Sequence, residues 1–124
     1  MKQDLVIMIV DDNPNFINRM QGLLEELDNI GPIHVASDYT KAIQLLTDQV
    51  PDFVLLDINL PGKSGIEILK MIKQNNWSCE VIVITNHADE YYRNQCYELG
   101  AKYFLDKSNE FGHVTEIISP QVYN

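Results

Sequence analysis

Three uninterrupted apolar stretches, Leu5 to Val10, Phe53 to Leu56 and residues 81–84, constrain this chain more than any other feature of its sequence. Successive side chains of a strand point to opposite faces, so a strand with one wet face alternates polar and apolar residues. A run without alternation fits a strand covered on both sides, which is the situation in a parallel sheet whose crossover helices lie on each face. The intervening segments read as those helices. Pro14 stands near the start of a stripe made by Phe16, Met20, Leu23, Leu24 and Leu27 at three- and four-residue spacing, and Gly22 weakens that helix without cancelling it. Ile43, Leu45 and Leu46 mark a second helix, and Ile66, Ile68, Leu69 and Ile72 a third. Shorter outer strands are expected over 33–36 and 103–105, a fourth helix over 89–99 ended by Gly100, and a fifth over 110–118 closed by Pro120. Strand-helix repeated five times is the pattern of an α/β, doubly wound, five-stranded parallel sheet with helices on both faces.

A chain of 124 residues buries about two thirds of its unfolded surface, enough for one core, so residues 1–124 read as a single domain with no output domain. Nine basic against eighteen acidic side chains give a formal charge of −9, which disfavours direct binding to nucleic acid or an anionic membrane and suits cations or basic protein patches. No apolar run approaches the roughly 20 residues that span a bilayer, and the first run meets Asp11-Asp12 without a small-residue cleavage site, so a cytoplasmic protein is expected. Cys79 and Cys96 lack metal-ligand spacing and read as reduced thiols.

The polar residues of interest all follow apolar runs. Asp11-Asp12 come after strand 1, Asp57 ends strand 3, Thr85 ends strand 4 and Lys107 follows strand 5. In doubly wound sheets ligands bind beyond the carboxyl ends of the strands, where the strand order reverses. With the order 2-1-3-4-5, strands 1 and 3 are neighbours, so three carboxylates converge, with Thr85 one strand away and Lys107 within reach on its long stem. Three ionised carboxylates together call for a cation, and a hard, oxygen-ligated ion such as Mg2+ keeps room for water or phosphate oxygens. One carboxylate, Asp57, can then serve as a nucleophile toward phosphorus while the metal and the lysine neutralise the other oxygens. Singly, each residue has a plain structural reading: Asp11-Asp12 as a helix start beside Pro14, Thr85 as a strand-end hydroxyl, Lys107 as a solvated charge. Their conjunction at four strand ends favours the chemical one.

The sequence resembles a response-regulator receiver domain, the CheY-like family of two-component signalling, over nearly its whole length. Asp11 and Asp12 match the acidic pair, "LLDINLPGKSG" the phosphoacceptor segment, "VIVIT" the strand ending on the switch threonine, and "YFLDKS" the lysine segment with Phe104 at the switch aromatic. The resemblance implies Asp57 as phosphoacceptor and Mg2+ or Mn2+ held by Asp12, Asp57 and the backbone carbonyl of Asn59, with Asp11 acting largely through water. It implies a donor that is a sensor histidine kinase or histidine phosphotransfer protein. It further implies a Thr85–Phe104 switch in which Phe104 turns inward when Thr85 moves, altering the face of helix 4, strand 5 and helix 5 toward a downstream protein. No enzymatic activity beyond self-phosphorylation and self-dephosphorylation is expected.

Three positions depart from the family's commonest pattern. Ser108 replaces a frequent proline, so no cis peptide is expected there. Asn86 is bulkier than the usual Ala or Gly and should crowd the water path to the phosphoryl group, and His87 reads either as a plain surface residue or as leaning over the site entrance; Asn59 and His87 would oppose the crowding if they orient a water. Ile17, beside the apolar stripe, reads either as a donor contact or as core, and Tyr91, Tyr92 and Tyr97 either as partner contacts or as packing. Two other function classes compete. A Mg-dependent small-molecule phosphatase or phosphotransferase would commonly place an acid at position 59 and a cap insertion over the site. A flavodoxin-like mononucleotide binder would offer backbone donors and hydroxyls where "DDNPN" offers carboxylates.

Overall fold

The computed structural model describes residues 4–119, so the expected stop at Pro120 and the tail after it lie outside the described residues. Ten elements alternate along the chain: β1 (Leu5–Val10), α1 (Pro14–Glu25), β2 (Ile30–Ala36), α2 (Tyr39–Asp48), β3 (Phe53–Leu56), α3 (Gly65–Gln74), β4 (Glu80–Thr85), α4 (Glu90–Glu98), β5 (Tyr103–Asp106) and α5 (His113–Ile118). The strands pair in parallel in the order β2-β1-β3-β4-β5. The unalternating runs have the expected cause. Met8, Val10, Val54, Leu56, Val81 and Val83 face one core layer with α2, α3 and α4. Ile7, Ile9, Leu55, Ile82 and Ile84 face the other, with Phe16, Met20 and Leu24 of α1 and Val114 and Ile118 of α5.

Four helices open on a side-chain cap: Asn13 accepts from the Asn15 and Phe16 amides, Asp38 from Lys41, Ser64 from Ile66 and Asp89 from Tyr92. Each oxygen satisfies helix donors that have no intrahelical partner. Since Asn13 caps α1, Asp11 and Asp12 are released from that duty. Gly100, at φ +102°, ends α4 as expected.

Two expected boundaries are corrected. Strand 2 begins at Ile30, not residue 33, because the register between Leu5 and Ile7 shifts to absorb an extra residue at Gly31-Pro32. Pro32 is exposed on this edge strand, where a missing N–H breaks no interior ladder. The fifth helix begins at His113, not residue 110. Asp106 Oδ1 accepts from the Ser108 and Asn109 amides, and Glu110 Oε1 folds back onto the Asp106 amide at 2.9 Å. Those side-chain bonds hold 107–110 in turns that compete with helix.

Candidate functional site

Sheet hydrogen bonds continue past the strands and fix the residues that follow them. The Asp57 amide donates to the Val10 carbonyl, the Asp11 amide to Ala36 and the Lys107 amide to Thr85, each at 3.0 Å. Asp11, Asp57 and Thr85 are therefore buried at adjoining strand ends, at 0%, 5% and 0% exposure. On the far side of Asp57, the Gly65 amide donates to the Ile58 carbonyl, drawing the start of α3 against the β3–α3 loop.

Both carboxylate oxygens of Asp57 are engaged. Oδ1 accepts from the Thr85 hydroxyl at 2.8 Å and the Asn59 amide at 3.0 Å; Oδ2 accepts from Lys107 Nζ at 2.9 Å. The same ammonium lies 2.7 Å from Asp11 Oδ2, as an ion pair without directional hydrogen-bond geometry. Asp11 Oδ1 accepts from the Asn13 amide at 2.8 Å, and the His87 amide donates to Thr85 Oγ1 at 3.2 Å. Burial pushes the Asp11 carboxyl above its ordinary range, against the opposing pull of Lys107 and the Asn13 amide. Burial also pulls the Lys107 ammonium down, but its contacts with Asp11 and Asp57 outweigh this and hold it above the usual lysine value.

Exposed Asp12 completes an acidic cluster: one oxygen from each of Asp11, Asp12 and Asp57 lies within 4.8 Å of the other two. An octahedral ion with bonds of about 2.1 Å spans ligand pairs up to about 4.2 Å apart, so the set fits a small divalent cation after slight relaxation. The charge fits as well, since three carboxylates and one ammonium leave two negative charges. Asp11 Oδ2 is buried with the Lys107 ammonium as its ion-pair partner and no directional donor, so a cation beside it would complete its coordination.

The remaining sequence candidates fall around this centre. Asn59 and His87, both exposed, line a cavity of about 180 Å³ with Ile58, Ser64, Ile66 and Tyr92. Asn86 is exposed on the opposite flank, where its Oδ1 accepts from the Ser108 hydroxyl at 3.4 Å. Ile17 is half-buried against the α1/α5 layer. Tyr91 and Tyr97 are exposed, while Tyr92 packs against His87 and Tyr91. Phe104 is buried, 2% exposed, and the Arg93 guanidinium lies over its ring at 5.1 Å. No cis peptide occurs among the described residues.

Two contributors were not singled out from the sequence. A Cβ on Gly65 would stand 2.4 Å from the Asp57 carbonyl oxygen, so only glycine lets α3 close on the loop. Phe16, expected simply as core, also places its ring 4.4 Å from Lys107 Nζ.

A family model described as the response regulator receiver domain matches residues 7–119. The chain is 27% identical over 114 residues to the DNA-binding transcriptional activator EvgA of Escherichia coli K12, covering 90% of this chain and 54% of that protein. It is 30% identical over 105 residues to the transcriptional regulatory protein MalR of Bacillus subtilis, covering 85% and 45%. The chain thus spans about half the length of these curated relatives. Among solved structures, the Mn(2+)-bound form of response regulator Rcp1 superposes with a TM-score of 0.87 at 27% identity, covering 96% of this chain and 97% of that one.

Proposed function

The chain belongs to the response regulator receiver domain family, and from that premise we propose that Asp57 accepts a phosphoryl group in a step dependent on Mg2+ or Mn2+. The donor is the phosphohistidine of a sensor histidine kinase or histidine phosphotransfer protein. An Asp57 oxygen forms a bond to phosphorus as the P–N bond breaks, and the electron pair leaves with the imidazole. Asp11, Asp12, Asp57 and the Asn59 carbonyl would hold the metal, which when bound supplies positive charge to the phosphoryl oxygens. Lys107 supplies charge from the other side, and the Thr85 hydroxyl hydrogen-bonds the incoming group.

The observation that supports this most is the convergence of three strand ends on one carboxylate: Lys107 at 2.9 Å on one oxygen, Thr85 at 2.8 Å on the other, Asp11 at the far side of the ammonium. Incubation with Mg2+ and acetyl phosphate should give an acid-stable, base-labile adduct that mass spectrometry places on Asp57. Asp57→Asn should take no label, and Lys107→Ala should bind Mg2+ while losing most of the phosphorylation-driven response. Labelling of Asp57→Asn at the wild-type stoichiometry would refute the assignment.

The signal passes by contact through the face of α4, β5 and α5 to a downstream protein, with Tyr91 and Tyr97 as exposed contacts. DNA binding is a property stated of EvgA, a protein about twice the length matched here. The charge of −9 argues against these residues touching nucleic acid themselves. No helix among the described residues is long and apolar enough to cross a membrane, in keeping with a cytoplasmic site of action. Asn59 and His87 on one flank and Asn86 on the other set the lifetime of the acyl phosphate. If Asn86 crowds the in-line water, phosphate release is faster in Asn86→Ala; equal or slower release removes it from that role.

A further inference from the structure

Lys107 has a third neighbour besides its two carboxylates. Its Nζ lies 4.4 Å from the centre of the Phe16 ring, and its side chain is only 9% exposed. The ring is itself fixed: Phe16 is 5% exposed and meets the Phe111 ring edge to face at 5.4 Å, and Phe111 is covered by the Arg19 guanidinium at 4.4 Å. Cation, ring, ring and cation thus form one row from the buried end of Lys107 to the surface. Phe16 and Arg19 stand three residues apart on α1, hence on one side of that helix.

We infer that Phe16 is a positioning residue for Lys107, holding the ammonium by its ring face through the phosphoryl transfer of Asp57. This deepens the phosphoacceptor reading and rests on it. A lysine on a four-carbon stem has many rotamers, and both its carboxylate anchors change in the reaction: Asp57 becomes an acyl phosphate, and Asp11 turns toward a cation. An aromatic face attracts an ammonium without accepting a proton or competing as a charged ligand. Phe16 is therefore the anchor that stays constant while the carboxylates change partners. It also walls that side of the ammonium from water, which strengthens the attraction between Lys107 and a dianionic group.

Replacing Phe16 by 4-fluoro-, 3,5-difluoro- and 3,4,5-trifluorophenylalanine weakens the ring's negative face stepwise at nearly constant shape. The rate of labelling by acetyl phosphate at saturating Mg2+ should fall progressively, by about three- to ten-fold at the trifluoro ring, while Mg2+ affinity stays constant. Phe16→Leu should lose at least as much, and Phe16→Tyr, which keeps a ring face, should recover most of the rate. Independently of phosphorylation, the Lys107 ε-methylene protons should resonate upfield in the wild-type protein and return toward the free-lysine position in Phe16→Leu. A flat rate across the fluorinated series, or ε-methylene shifts unchanged by Phe16→Leu, overturns the proposal. Wild-type protein that takes no label refutes the phosphoacceptor reading and the rate role with it, and the ε-methylene shifts then still decide whether Phe16 holds Lys107.

Discussion

A methyl group added to Gly65 would meet the Asp57 carbonyl oxygen at 2.4 Å and the Ile58 Cα at 2.8 Å, backbone atoms with no rotamer by which to step aside. Gly65→Ala should therefore cost about 1–3 kcal/mol in urea unfolding and displace the loop that carries Asn59, seen as amide shifts at residues 57 to 60. Asp11 gives a prediction of opposite sign. Its carboxyl is raised above the ordinary aspartate value of 3.8 chiefly by burial, so at neutral pH the ionised form is a net cost to the fold. Without divalent cations, Asp11→Asn should be more stable than wild type at pH 7. The advantage should shrink as pH falls through the raised folded value and vanish below the unfolded value near 3.8, where Asp11 is protonated in both states. Paired urea titrations across that range test it, and an advantage that grows toward acid would contradict the argument. Asp11, Asp57, Thr85 and Lys107 were legible in the sequence because each polar group follows an apolar run. Phe16 and Gly65 were not, since a phenylalanine at helical spacing reads as core and a glycine's forbidden Cβ contacts are invisible before the loop is folded.

Among the elements, α4 is the least anchored of the longer helices: of its nine residues only Cys96 is buried, against five buried residues in α3. Its start depends on Asp89, whose carboxylate accepts from the Tyr92 amide at 3.0 Å. Asp89→Ala should cost about 0.5–2 kcal/mol, and the amides of α4 should exchange with deuterium before those of α3, with the gap widening in the variant. Uniform protection of the two helices would contradict this. A weakly held helix that itself carries two exposed tyrosines, Tyr91 and Tyr97, suits a surface that changes on signalling. Helix and strand cores were readable from periodicity alone. The starts of β2 and α5 were not, because they depend on a register shift at Gly31-Pro32 and on the carboxylates of Asp106 and Glu110, which bond backbone amides only once the turns exist.

For the whole molecule, crowding acidic groups at one end of the sheet couples stability to divalent ions. An ion that binds the folded site alone stabilises by about 2.7 kcal/mol at a hundredfold excess over its dissociation constant. Mg2+ should therefore raise the thermal midpoint, chelator should reverse it, and Asp12→Ala should abolish most of the rise; a shift of equal size in that variant would place the ion elsewhere. The parallel topology was legible because three strands show no alternation, whereas the site needed the strand order before its residues could be seen to meet. That sheet also divides the interior into two layers whose side chains are kept apart by the strands. Asp57 stands at the rim of this division. Its Thr85 bond comes from the end of β4, its Asn59 bond from the loop leading to α3, and its Lys107 bond from a side chain resting on Phe16 of α1. A hinge pin belongs to both leaves of a door, and a carboxylate held from both sides of a sheet has the same property: adding charge to it loads two otherwise separate solids at once.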